Sequence, residues 1–295
     1  MTTIKHKILN ALVWPLTKTP LCVLYYFGFA TYAILYYVVR YRRKVVRKNL
    51  TESFPDKSKA EIKAITKDFY LNFTDYIVET IRMGGMSYDE LSSRMTFENI
   101  SLVERYLSEG RPIVAYFSHC INWEWVTVLG DEVANPEWEL SEVYRPLKNK
   151  WMDAYMLRIR QRFHTRCYPK ATVFRELLRR RHEGITTFTG FMSDQKPSHG
   201  DNGYITTFLN HPTAMITGTA VVAEKLDAAV IYFDMTKLHR GRYHMRIVPM
   251  FDSAAGHSVD EITEAYTRLL EANIDRQPSI WLWTHKRWKH PVTLP

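Results

Sequence analysis

The sequence predicts an α/β protein with a mostly parallel mixed sheet flanked by helices, preceded by an apolar helix. Three observations carry that expectation. Short apolar runs bounded by turn residues recur from about residue 113 onward, and helical stretches stand between them. Hydrophobic residues make up 46% of the 295, enough to bury a full core. The longest charge-free run, Leu21 to Val39, lies ahead of all of these.

That run, LCVLYYFGFATYAILYYVV, is long enough to cross a bilayer, and its tyrosines suit the headgroup region. RYRRKVVRK follows it, with six basic residues in nine. Such a cluster predicts that the rest of the chain lies in the cytoplasm. Pro15, Pro20 and Gly28 interrupt the region, so a helix lying in the interface fits as well as one that spans. A cleaved signal peptide fits poorly, because the run exceeds a typical apolar core and no small-residue cleavage pattern follows. The division is therefore a membrane anchor over residues 1–40 and one domain over 41–295.

Within the domain, Ile62, Ile65, Phe69, Phe73, Ile77 and Ile81 recur at helical spacing. FENISLVERYLSEG gives a short helix, and PIVAYF a strand over about 113–117, with helix again from about Glu124. LSEVYRP reads as a strand ending near Arg145, followed by the helices KWMDAYMLRIRQRF and ATVFRELLRRRHEG. ITTFTGFMSDQ is a strand ending near Asp194, and YITTFLNH another. A helix through ITGTAVVAEKLDA, strands in AVIYFDMT and YHMRIVPM, and the long helix VDEITEAYTRLLEANIDRQ complete the order.

A net charge of +9 points to an anionic partner: a membrane surface, a nucleic acid or an acidic carrier. Cys22, Cys120 and Cys167 are widely spaced, which suits a reducing compartment, and no metal is expected. The absence of a GxGxxG or P-loop pattern argues against a dinucleotide or nucleoside triphosphate.

Ligands of open α/β sheets bind at the carboxyl ends of the strands. Four polar features are predicted there: His119, Arg145, Asp194 with Gln195, and the Asn210–His211 turn. In FSHCINWEW, His119 falls in the turn after a strand and Glu124 in the next helical turn. A carboxylate so placed can hold one imidazole nitrogen and leave the other as a base toward a hydroxyl. A surface histidine and a helix-start glutamate fit the same spacing. Arg145, held extended by Pro146, can clamp a phosphate or carboxylate together with Lys148 and Lys150. Asp194 can orient a basic side chain or cap the following loop. Cys120 beside His119 reads as buried rather than nucleophilic. His285 and His290 in HKRWKH read as part of a charged surface.

Taken in order, these motifs resemble the late acyltransferases of lipid A biosynthesis, within the wider lysophospholipid acyltransferase group. VRKNL is similar to the family's R-x-N-L element, SHCINWEW to its H-x4-D/E box, VYRPLKN to Y-R-P and MSDQ to D-Q. TTFLNHPTAMITGTAVVAEKLDAAVI and LLEANIDRQPSIWLWTHKRWK resemble its later stretches. Cys120 and Ile121 stand where the family usually has small residues, and Asn210 where it often has glycine. The resemblance implies a glycerolipid acyltransferase-like fold and O-acyl transfer from a thioester to a lipid hydroxyl. His119 would be the general base, oriented by Glu124. Asn122, Arg145, Lys148, Asp194 and Gln195 would contact substrate. No cofactor is implied. The partners would be an acyl carrier protein or coenzyme A thioester, the cytoplasmic face of the inner (cytoplasmic) membrane, and a lipid acceptor, in the first place a lipid A precursor. A lysophospholipid or acylated amino acid remains open as acceptor. A membrane-tethered nucleic-acid-binding protein is the alternative of another class, although no groove-reading element is visible and no nucleic acid is expected.

Overall fold

Pro20 divides the apolar N-terminal region into two helices, α1 (Ile4–Lys18) and α2 (Leu21–Ala33). Without an N–H, and with φ of −56°, Pro20 stops one helix and stands at the start of the next. A π-helical turn, Ile34–Val38, extends α2. The computed structural model describes residues 4–198 and 203–294. Leu21 to Val38, with mean hydropathy 1.6, is long and apolar enough to cross a membrane. Its two faces differ. Leu21, Leu24, Gly28 and Tyr32 are buried, whereas Val23, Tyr26, Phe27 and Phe29 are exposed.

The buried face packs along a later helix. After α3 (Arg43–Ser53) comes α4 (Lys59–Met83), against which α2 lies. Ser58 and Glu61 close a reciprocal capping box at the start of α4, a device that contributes about 1 kcal/mol. Then follow α5 (Tyr88–Ser92), β1 (Met95–Glu98), α6 (Ile100–Ser108) and β2 (Ile113–Phe117). A 3-10 turn, Trp123–Val128, leads into the short α7 (Leu129–Glu132). β3 (Trp138–Tyr144), α8 (Lys150–Arg160), β4 (Thr165–Pro169), α9 (Val173–His182) and β5 (Thr186–Met192) alternate regularly. β6 (Tyr204–Phe208) and β7 (His211–Met215) form a hairpin, followed by α10 (Gly218–Leu226), β8 (Ala229–His239), β9 (Arg242–Phe251) and α11 (Val259–Arg276).

Seven strands form the main sheet in the order β1-β9-β8-β2-β5-β3-β4. β8, β2, β5, β3 and β4 run parallel, while β9 is antiparallel to β8 and carries β1 parallel to itself. The mostly parallel α/β class read from the sequence is the observed one. β2 is central because all five of its residues are buried, which its continuous apolar run IVAYF permits on both faces. Phe117 stacks on Phe233 of β8 at 4.2 Å, and Tyr116 on Tyr266 of α11 at 4.3 Å. Burying each such ring fully contributes roughly 1.5–3 kcal/mol.

Local departures from the expected elements have physical reasons. β1 and β4 are outer strands of four and five residues without a long apolar run to announce them. β7 contains Pro212, tolerated because the hairpin is a two-stranded sheet of its own. The Asn210–His211 turn therefore belongs to that hairpin and not to the carboxyl edge of the main sheet. Leu209 and Asn210 adopt φ of 50° and 64°, a left-handed pair in which asparagine is readily accepted.

Candidate active site

β2, β5 and β3 lie side by side and end at one edge. His119 stands just past β2, Asp194 and Gln195 just past β5, and Arg145 directly after β3. The parallel topology thus gathers three of the four predicted features. Arg145 and Lys148 are exposed at this edge.

The imidazole is held from one side. His119 Nδ1 lies 2.7 Å from Asp194 Oδ1, and the His119 backbone N–H donates to Asp194 Oδ2 at 3.0 Å. Asp194 is 1% exposed and also accepts from Trp281 Nε1 at 2.8 Å. Burial alone would push this carboxyl up. The His119 charge, the two bonds from His119 and the indole N–H outweigh it and hold Asp194 below the usual carboxylate range. A carboxylate in this position fixes Nδ1 as the protonated nitrogen and leaves Nε2 as the basic one. Nε2 faces the Gln195 amide nitrogen at 3.3 Å.

Glu124 is turned elsewhere. Its carboxylate receives a two-pronged grip from Arg160, Nε and Nη2 each at 2.7 Å, and a bond from Trp123 Nε1 at 2.9 Å. The contact expected between His119 and Glu124 is thus made by Asp194, because the 3-10 turn directs Glu124 toward α8. Trp123 connects the two: its ring meets His119 edge-on at 5.0 Å and packs on Tyr76 at 4.2 Å. Burial lowers the Arg160 guanidinium, but the Glu124 charge and hydrogen bonds reverse this and raise it. Asn122, expected to touch substrate, is fully buried and donates to Glu79 at 2.8 Å. It faces the interior because the turn rolls it under the sheet edge. Cys120 is also fully buried, and burial pushes its thiol up to about 12.

Beside this constellation a narrow apolar cleft opens, lined by Phe117, Trp123, Leu140, Phe188, Gly190 and Met192 among others. Gly190 is required by close approach: a Cβ there would lie 2.7 Å from Cε2 of Phe117. Glu142 and Arg160, 3.3 Å apart, form one polar wall. Burial pushes Glu142 up to about 6, against the pull of Arg160.

The C-terminal HKRWKH stretch is divided: Lys286, Lys289 and His290 are exposed as a charged surface would be, whereas Arg287 is buried and His285 half-buried. Arg287 is 4% exposed; its Nε donates to the Asp194 carbonyl at 3.0 Å and its Nη2 to Ala214 O at 2.7 Å. Trp281 and Trp283 are buried, and Asn49 donates to the carbonyls of Trp283 and His285 at 3.1 Å each. Arg42 adds a bond to Thr284 O at 3.0 Å. Residues 281–287 are therefore a strap across the back of Asp194. The alternating tryptophans of WLWTHKRW signal this burial. Arg160, 36 residues from Glu124, had no local signal. Among the described residues, no group of three or more His, Cys, Asp or Glu side chains converges to hold a metal ion.

An imidazole nitrogen left open beside an apolar cleft can take a proton from a group bound there. Comparison with known proteins places the chain in a family. The chain is 25% identical over 290 residues to a lipid A biosynthesis palmitoleoyltransferase of Escherichia coli (strain K12), covering 94% of this chain and 88% of that protein. It is equally similar, over the same shares, to a lipid A biosynthesis acyltransferase of Shigella flexneri. The family described as bacterial lipid A biosynthesis acyltransferase matches residues 3–290. With nearly its whole length matched, the chain belongs to that family and is an acyltransferase.

Proposed function

We propose that this acyltransferase carries a fatty acyl group from an acyl thioester to a hydroxyl of a lipid A precursor at the cytoplasmic face of the inner membrane. The family and the names of its relatives support the acceptor. One observation carries the mechanism: His119 is pinned at Nδ1 by the buried Asp194, and its ring remains 19% exposed.

The acceptor hydroxyl gives its proton to His119 Nε2 as its oxygen attacks the thioester carbonyl. The tetrahedral oxyanion collapses, the carbon–sulfur bond breaks, and the imidazolium returns the proton to the departing thiolate. Asp194 stabilises the imidazolium throughout and keeps the ring in one orientation. Glu124 acts through Arg160 and Trp123, fixing the turn and one wall of the cleft. The cleft takes the acyl chain. Gln195 must yield its place at Nε2 to the acceptor hydroxyl, and its amide N–H then lies within reach of the developing oxyanion. Exposed Arg145 and Lys148 meet the phosphate of the thioester's pantetheine arm or the acidic surface of an acyl carrier protein. Residues 1–40 serve as the membrane anchor, with the open face of α2 toward lipid and the basic cluster after it against anionic headgroups.

The test is transfer from acyl-carrier and coenzyme A thioesters to a panel of lipid acceptors, read by mass spectrometry. Wild type is expected to add one acyl group to a lipid A precursor, and His119→Ala to lose about 10³-fold in kcat while remaining folded. Full activity in His119→Ala would remove the base assignment. Preference for a lysophospholipid would replace the acceptor.

A further inference from the structure

Glu79 of α4 is 0% exposed and stands outside the chemistry described above. Its carboxylate accepts from Tyr25 Oη of α2 at 2.7 Å, from Asn122 Nδ2 at 2.8 Å and from Tyr243 Oη of β9 at 2.8 Å. Burial raises Glu79 above the usual carboxylate range, and the three donors oppose that rise. A buried carboxylate is costly unless both its oxygens are engaged: Tyr25 serves Oε1, whereas Asn122 and Tyr243 share Oε2, so losing Tyr25 strands an oxygen and turns the carboxylate, while losing Tyr243 leaves Oε2 with Asn122.

The three donors come from very different places. Tyr25 belongs to the apolar helix whose other face is exposed. Arg240 lies over the Tyr25 ring at 4.1 Å and is itself held by Asp75 at 2.6 and 2.9 Å. Gly241, with φ of 70°, makes room for the hydroxyl: a Cβ there would lie 2.2 Å from Tyr25 Oη. Asn122 sits between His119 and Glu124 in the turn that carries both. Its Oδ1 is buried with no partner, so the bond to Glu79 is the polar anchor of its side chain. Trp125 of the same turn adds a longer bond, from Nε1 to the Glu79 carbonyl at 3.4 Å.

We propose that Tyr25, Glu79 and Asn122 are positioning residues that couple the seating of α2 to the geometry of the His119–Glu124 turn. The proposal rests on the acyl-transfer reading. When α2 lies correctly on α4, the Tyr25 hydroxyl completes the Glu79 carboxylate, and Glu79 holds Asn122 and the turn in register. When α2 is displaced, Glu79 loses a donor next to the catalytic turn, and the imidazole drifts from Asp194. The lipid-facing helix thereby becomes part of the catalytic apparatus without touching substrate.

The experiment uses the full chain in vesicles holding the acceptor lipid, comparing wild type, Tyr25→Phe and Tyr243→Phe. Each phenylalanine removes one oxygen and one bond to the same carboxylate, but only Tyr25 joins α2. Tyr25→Phe is expected to lower kcat about tenfold with KM for the thioester within about twofold, since small displacements of reacting groups act on the chemical step. Amide hydrogen exchange over residues 120–125 should quicken in parallel, with α11 unchanged. Tyr243→Phe should stay within about twofold of wild type in kcat. Equal losses in the two variants would reduce Glu79 to general stability and overturn the coupling, as would an unchanged kcat in Tyr25→Phe. If wild type transfers nothing, the acyl-transfer reading fails, and exchange alone decides: unchanged protection of the turn in Tyr25→Phe overturns the link.

Discussion

Asp194 concentrates the site into one residue. Its two carboxylate oxygens serve an imidazole, a backbone N–H and an indole, and its carbonyl receives a buried guanidinium. Asp194→Asn keeps the size but loses the charge that stabilises the imidazolium and selects the tautomer. A fall in kcat of about 10³-fold is expected, with thioester KM nearly unchanged; a loss below tenfold would show that His119 orients itself. Arg160→Met should act differently, because it strands the buried Glu124. Steady-state kinetics and thermal melting together should show a drop in stability of about 3 kcal/mol and a loss of activity with it. At this scale the sequence was legible in part. His119 and Asp194 were readable because each follows a strand that ends at the same edge. The partner of His119 was not, since a five-residue spacing to Glu124 suggested a local contact, while Arg160 claims Glu124 from a distant helix.

Among the elements, β2 and β5 line the apolar cleft that would take the acyl chain. They pair Ala115 with Gly190, and the missing Cβ at Gly190 is where the Phe117 ring rests. Gly190→Ala pushes that ring into the cleft. Competition between thioesters of different chain length should show a shift toward shorter chains, with kcat/KM for the longest falling about tenfold or more and that for the shortest changing little. The central strands were legible from unbroken apolar runs, and α4 and α11 from their helical period. β1, β4 and β7 escaped, being short strands outside the buried parallel centre, where no continuous apolar pattern is required. The two faces of α2 were equally invisible, because a charge-free helix shows no polar side.

For the molecule as a whole, the strap from Trp281 to Arg287 ties acid stability to a single histidine. His285 Nδ1 is buried without a partner, and burial, helped by the Arg287 charge, lowers the imidazole to about 4. Below its ordinary value of about 6.5 the unfolded chain takes up this proton and the folded chain does not. Stability therefore falls as pH drops from about 6.5 to about 4, and is flat in this contribution outside that window. His285→Asn should remove a loss on the order of 2 kcal/mol, visible as a flatter dependence of Tm on pH; an unaltered slope would show that His285 titrates freely. The α/β class was legible because it needs only the alternation of elements. The inward turn of His285 and Arg287 was not legible, because a run rich in charge looks alike whether its side chains meet solvent or a buried carboxylate.

The same strap sets an order of events in synthesis. Asn49 and Arg42 bond to carbonyls 236 and 242 residues later. The apolar helix and the histidine turn leave the ribosome long before Trp281 and Arg287 exist to hold Asp194. Asp194 therefore gains its indole and guanidinium partners only after the strap has been made, and until then the carboxylate beside His119 is held from one side alone.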